Sequence, residues 1–293
     1  MRAAALTEIV VSAAREGAAG TSCRHSRTVT TTGAPEKAPP TVLPRRTLVH
    51  EVWLVFALSL GASGVYSLVH LIADATSGRS LVSQTATLNN SAAPGRPWLD
   101  LTYQLLGLVV GVVPVLLALY LLHRSGEDRQ TIGFDLRQPR RDTAYGALLA
   151  AVVGGAGLAF YLVVHATGAN LTVVAENLPH VWWRYPVLVL SAAQNGVLEE
   201  VLVAGYLLHR LRQLGWSDGR ALAASAVLRG SYHLYQGLGG FAGNLVMGVI
   251  FGRLYQRWGR VAPLVVAHTL MDTVAFVGYA LLVGRVSWLP TVS

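Results

Sequence analysis

Seven apolar stretches decide what this chain can fold into. They lie near residues 51–73, 99–122, 143–165, 185–209, 221–237, 241–256 and 261–283. A helix rises 1.5 Å per residue, so about 20 apolar residues cross the roughly 30 Å hydrocarbon core of a bilayer. In lipid every backbone N–H and C=O must find a partner within the protein. The expectation is an all-α, polytopic transmembrane helix bundle of about seven spans. Composition agrees, with 53% hydrophobic and 13% charged residues, where a soluble domain carries about 25% charged residues.

The formal charge of +8 and the pI near 10 would suggest nucleic acid in a soluble protein. The distribution gives a different answer. With the N-terminus in the cytoplasm, 18 of the 23 Lys and Arg fall in the first 50 residues and the loops near 124–142, 210–220 and 253–260. Only Arg79, Arg96, Arg184 and Arg285 fall on the other side, and Arg229 lies inside a span. That is the positive-inside pattern, so the basic excess sets topology and a nucleic-acid role is excluded. Seven spans would put the C-terminus outside. The chain is expected to be an integral, multi-pass membrane protein, in the plasma membrane if it is bacterial.

Residues 1–47 are rich in Thr, Pro and Arg, lack a sustained apolar period, and read as a disordered cytoplasmic tail without a signal-peptide core. The single cysteine, Cys23, lies there and offers no disulfide framework. Residues 48–293 form the membrane domain. Within it Pro114 is placed to kink the second span, and Asp142 with Thr143 to cap the third. Residues 75–98 and 166–184 read as outer loops. Trp182, Trp183 and Tyr185 read as an interfacial aromatic belt.

Six polar side chains lie at bilayer depth in the last third of the chain: Glu199, Glu200, Arg229, His233, His268 and Asp272. A charge there costs about 2.5–3.5 kcal/mol on insertion scales, and such residues usually face a bundle interior or a wet cavity. Arg229 and His233 are four apart on one predicted helix, and so are His268 and Asp272 on another. Counted from one surface, the polar groups of the three helices lie about 12–18 Å deep. Glu199 and Glu200 are consecutive and project about 100° apart, so one can enter a cavity while the other pairs with a neighbouring helix. A glutamate can take a proton from water and return it to a leaving amine. Histidines can position the water, stabilise an oxyanion or hold a metal. Asn195 and Gln194 read as interhelical hydrogen-bonding groups, Gly248 and Gly252 as a packing seam, and Tyr232 and Tyr235 as interfacial or packing aromatics.

At these residues the chain resembles the CAAX-prenyl-protease and bacteriocin-processing family of intramembrane proteases. That family shows Glu-Glu-x-x-x-Arg, then Phe-x-x-x-His, then His-x-x-x-Asn/Asp on successive membrane helices. Glu199 and Glu200 match the first pair, His233 the second histidine, and His268 with Asp272 the third motif. The resemblance covers about residues 185–283. Two positions depart from it: Ala204 stands where the family has arginine, and Arg229 where it has phenylalanine. One buried cation is lost and another gained, so Arg229 is expected to act as counter-ion to the carboxylate pair. The resemblance implies hydrolysis of a peptide bond in a membrane-associated or lipidated peptide or protein substrate. Glu199 is favoured as the base that activates water, with Glu200, His233, His268 and Asp272 assisting. The cofactor is left open. Glu199, His233 and His268 could serve as zinc ligands, but family members are also described as metal-independent glutamate proteases. The competing readings are a non-catalytic membrane scaffold or bacteriocin self-immunity protein, and an ion-coupled transporter, against which stands the lack of an inverted repeat.

Overall fold

The computed structural model describes residues 43–167, 170–286 and 289. Residues 1–42 of the expected disordered tail, with Cys23, lie outside them, and its last residues, Arg45–Thr47, are instead the first residues of a helix. Arg45–Ala57 (α1) and Leu60–Thr76 (α2) form a bent pair, with their axes at 48°. Pro97–Gly111 (α3) and Val113–Arg124 (α4) make one apolar run broken at Val112, with a proline in the first turn of α4, where the sequence placed a kink. Pro139–Ala166 (α5) follows. Arg184–Glu199 (α6) continues through a π-helical segment, Glu200–Leu207, into Leu208–Gln213 (α7). Asp218–Ser231 (α8), Leu238–Trp258 (α9) and Ala262–Leu282 (α10) complete the bundle. Closely packed helix pairs are α6 with α10, α8 with α9, and α5 with α10.

Five helical runs are long and apolar enough to cross a membrane, or six with the bent α1–α2 pair taken as one span. The expected fifth span, residues 221–237, is not among them. Its helix, α8, has 14 residues, which reach only about 21 Å. The chain can stop there because the carbonyls left free at the end of α8 are satisfied inside the protein. The Arg229 carbonyl accepts from His233 Nδ1 at 2.9 Å, that of Gly230 from the His233 N–H at 3.0 Å, and that of Tyr232 from Ser67 Oγ of α2 at 3.1 Å. A helix end within hydrocarbon needs its free carbonyls paired in this way. A 3₁₀ turn, Leu234–Gln236, then leads to Gly237, whose φ of +96° suits glycine.

The two segments expected as outer loops contain regular structure. Thr85–Asn89 (β1) and Thr172–Glu176 (β2) pair as a two-stranded parallel sheet, with Thr85 opposite Thr172 and Asn89 opposite Glu176. A second apolar core beneath it joins Val174 and Leu178 to Trp183, Leu188, Phe276 and Tyr279. Trp183 is therefore buried rather than part of an aromatic belt, while Trp182 beside it is exposed. Asn170 accepts from the Gly239 N–H at 3.1 Å, which ties this platform to the first turn of α9. Asp142 also departs from expectation. It sits one turn inside α5, whose cap is Gln138, and bonds Arg260 Nη2 at 2.6 Å.

Candidate active site

The π-helical segment starts at the second glutamate. In a π-turn the backbone bonds to i+5, which widens the helix and displaces a carbonyl from its usual donor. Here the Val203 carbonyl accepts from Ser225 Oγ of α8 at 3.1 Å, so the irregular turn is fastened to the helix that carries Arg229. On the other side, α6 meets α10 at Gly196, where an added Cβ would lie 2.6 Å from Thr269 Oγ1. Small residues at such a seam let helix backbones approach closely. Gly248 does the same between α9 and α8, with an added Cβ 2.9 Å from Ala226 Cα and 3.2 Å from Arg229 Cδ. Gly252 meets Leu222 of α8, so the expected seam packs against the Arg229 helix.

These contacts bring all six sequence-predicted polar residues into one network. Arg229 Nη2 donates to Glu200 Oε1 at 2.6 Å, and Nη1 lies 3.9 Å from Glu199 Oε2. One guanidinium therefore spans both carboxylates, although consecutive residues on a regular helix diverge. The wider turn at Glu200 and the forked shape of arginine account for the difference. The same Glu200 oxygen accepts from His268 Nδ1 at 2.7 Å. His268 Nε2 lies 3.7 Å from Asp272 Oδ1, and Asp272 Oδ2 accepts from Asn195 Nδ2 at 3.1 Å. A carbonyl oxygen can only accept, so His233 Nδ1 carries the proton that bonds the Arg229 carbonyl. His233 Nε2 then faces Glu199 Oε1 across 3.9 Å. The second Glu199 oxygen, Oε2, accepts from the Tyr232 hydroxyl at 2.8 Å.

The network is graded in exposure. The Arg229 and Glu200 side chains are 1% and 0% exposed, whereas Asp272 reaches 22%. The site is sealed around the ion pair and opens toward Asp272. Glu199 and His233 lie between these extremes.

Tyr232 and Ser67 were not expected here. Tyr232 read as an interfacial or packing aromatic, and its position directly before His233 was the only signal available. Ser67, on α2, lies in a first span that offers Gly61, Ala62, Ser63 and Gly64 beside it, a composition that suits helix packing. Asn195 does reach the network, four residues before Glu199 on the same helix. Gln194 instead packs against α3, where an added Cβ on Gly111 would lie 2.8 Å from its amide. Asn244 bonds the carbonyl of Gly240 in its own helix.

The family model for Rce1-like type II CAAX prenyl endopeptidases matches residues 181–274. Over that stretch the chain is similar to the Rce1-like family. The match begins just before α6 and ends just past Asp272, so it contains every member of the network except Ser67. The Rce1-like family is one of integral membrane proteases, and the apolar helices fit multi-pass insertion. The resemblance carried by the three sequence motifs thus holds over the segment that contains them. No curated protein and no solved structure matches the chain.

The zinc set Glu199, His233 and His268 can be set against this geometry. Among the described residues no group of three or more His, Cys, Asp or Glu side chains is arranged to hold a metal ion. His268 Nδ1 is held by Glu200 and His233 Nδ1 by a backbone carbonyl, which leaves Nε2 of each ring as the nitrogen that could ligate. The Arg229 guanidinium already places a positive charge beside both glutamates. As arranged, these side chains do not make a zinc cage of the usual four-coordinate kind.

Proposed function

We propose that the chain is an intramembrane endopeptidase that hydrolyses a peptide bond in a membrane-associated or lipidated peptide, with Glu199 activating water. The observation that carries the reading is the facing pair of Glu199 Oε1 and His233 Nε2, 3.9 Å apart. That gap suits a water bonded to both atoms, each contact at ordinary hydrogen-bond length. Glu199 takes one proton from the water, and the oxygen attacks the scissile carbonyl carbon. The resulting oxyanion is stabilised by His268, which in its protonated form offers Nε2–H while Nδ1–H stays on Glu200. Collapse of the tetrahedral intermediate breaks the C–N bond, and Glu199 returns its proton to the leaving amine. One water is consumed, and one carboxyl and one amine are released. Arg229 holds Glu200, and Asp272 faces His268 Nε2 from the open side.

Arg229 also explains how this chain dispenses with an arginine at position 204. Ala204 is buried in the apolar core of the bundle, and the cation is supplied from α8 instead, its guanidinium over the Phe251 ring at 5.6 Å. The test of function compares the termini of membrane peptides in cells making the wild type with those making Glu199→Ala at equal abundance. Termini present only with the wild type support the protease. Identical sets from two folded proteins favour the scaffold or immunity reading.

A further inference from the structure

We infer that Tyr232 is a positioning residue that selects which oxygen of Glu199 acts as the base, and that α2 holds it in place. This rests on the proteolytic reading for its catalytic consequence, but not for its geometry. The Tyr232 side chain is buried, and its hydroxyl donates to Glu199 Oε2 at 2.8 Å. The same oxygen faces Arg229 Nη1 at 3.9 Å. Oε2 thus carries a hydroxyl donor and lies nearest the guanidinium, while Oε1 lies 3.9 Å from His233 Nε2. A carboxylate oxygen that already accepts a hydrogen bond from a buried donor is the poorer proton acceptor, so Oε1 is left as the basic one.

The position of Tyr232 is fixed from outside the family-matched segment. It follows the last residue of α8, where the backbone leaves the helix. Its carbonyl accepts from Ser67 Oγ, itself buried in α2. One turn earlier on α2, an added Cβ on Gly64 would lie 2.7 Å from Ser231 Oγ. The two helices therefore meet at the residue before Tyr232 and bond at Tyr232 itself. The ring packs beside His233 with centroids 4.7 Å apart, so one contact orients both the base and the imidazole that faces it. The α2 helix lies outside residues 181–274, and through Ser67 and Tyr232 it reaches the base.

The experiment has a readout that needs no substrate. Dicyclohexylcarbodiimide labels carboxyl groups in their protonated form and enters apolar sites. Wild type, Tyr232→Phe and Ser67→Ala are reconstituted in liposomes and labelled, and modification at Glu199 is quantified by peptide mass mapping with Glu200 as the internal comparison. Tyr232→Phe keeps the ring and removes only the hydroxyl. Labelling of Glu199 should rise about tenfold, since a lost hydrogen bond to a carboxylate favours its protonated form, with a smaller rise in Ser67→Ala and no change at Glu200. In parallel, cleavage of an internally quenched peptide ending in a prenylated cysteine motif is followed. Tyr232→Phe should lower kcat by about ten- to a hundredfold with KM unchanged, because an orienting contact on the base acts on the chemical step. Unchanged Glu199 labelling in a folded Tyr232→Phe protein overturns the positioning role. Increased labelling with no cleavage of any peptide by the wild type keeps that role and overturns the proteolytic reading instead.

Discussion

Two buried glutamate–arginine pairs in this molecule are built differently. Glu176 and Arg184 join the outer platform to the start of α6, and Glu200 and Arg229 join the motif helix to α8. Both pairs are almost fully buried. In the outer pair the arginine engages both carboxylate oxygens, Nη2 on Oε1 and Nε on Oε2. Glu176 Oε2 also accepts from the Leu178 N–H at 2.9 Å, and Arg184 Nη1 meets His180 Nδ1 at 3.0 Å. In the inner pair a single oxygen, Glu200 Oε1, takes both the arginine and His268, while Glu200 Oε2, Arg229 Nε and Arg229 Nη1 have no hydrogen-bond partner. A buried polar group without a partner costs about 1–3 kcal/mol. The closed pair joins the sheet to the start of α6 with its polar atoms engaged. The open pair leaves polar capacity beside Glu199, where charge would move in the proposed hydrolysis, at a cost in stability.

The contrast can be broken most sharply at the base itself. Glu199→Gln should lower cleavage by about 10²–10⁴-fold, the usual contribution of general acid–base catalysis, while its thermal midpoint in detergent stays near that of the wild type. Next is the inner pair. Arg229→Met leaves Glu200 buried and uncompensated, and should destabilise the protein by about 3–5 kcal/mol in denaturant unfolding. Adding Ala204→Arg in that background should restore part of the loss. No recovery would mean that the two positions are not equivalent sources of charge. For the outer pair, Glu176→Gln leaves Arg184 buried without its counter-charge and should also cost about 3–5 kcal/mol of stability, with kcat for any cleaved peptide unchanged.

The smallest expected effect concerns a third ionic cluster, at the far end of α7. Burial pushes the Glu127 carboxyl up, but the His209 hydrogen bond and the charges of His209 and Arg210 outweigh it and hold the group below its ordinary value of 4.5. Arg210 Nη1 lies 2.8 Å from Glu127 Oε2. With the folded value below the unfolded one, the stabilisation is complete above the unfolded value and is lost as pH falls through the folded one. The thermal midpoint should therefore drop below about pH 4.5, and Glu127→Gln should reduce that part of the drop.

What the sequence revealed follows from which interactions are local. Apolar runs, the charge bias of the loops and residues four apart on one helix depend only on spacing along the chain. The helical membrane class and the six network residues were legible for that reason. The parallel pairing of Thr85 with Thr172 joins segments separated by α3, α4 and α5, and neither short strand announces its partner. The early end of α8 depends on Ser67, more than 160 residues away. The π-turn at Glu200 was hidden because nothing in its local sequence departs from an ordinary helix. It is held by Ser225 on another helix. Trp183 read as interfacial because it lies beside Trp182 and Tyr185, yet the platform above it makes that position a core.

The most direct test of the account is the comparison of membrane peptide termini between cells making wild type and cells making Glu199→Gln, with equal amounts of folded protein in each. The account predicts new termini with the wild type that vanish in the variant, and these would name the substrate. Identical termini in the two would contradict it, and the open ion pair would then require a role in binding rather than in hydrolysis.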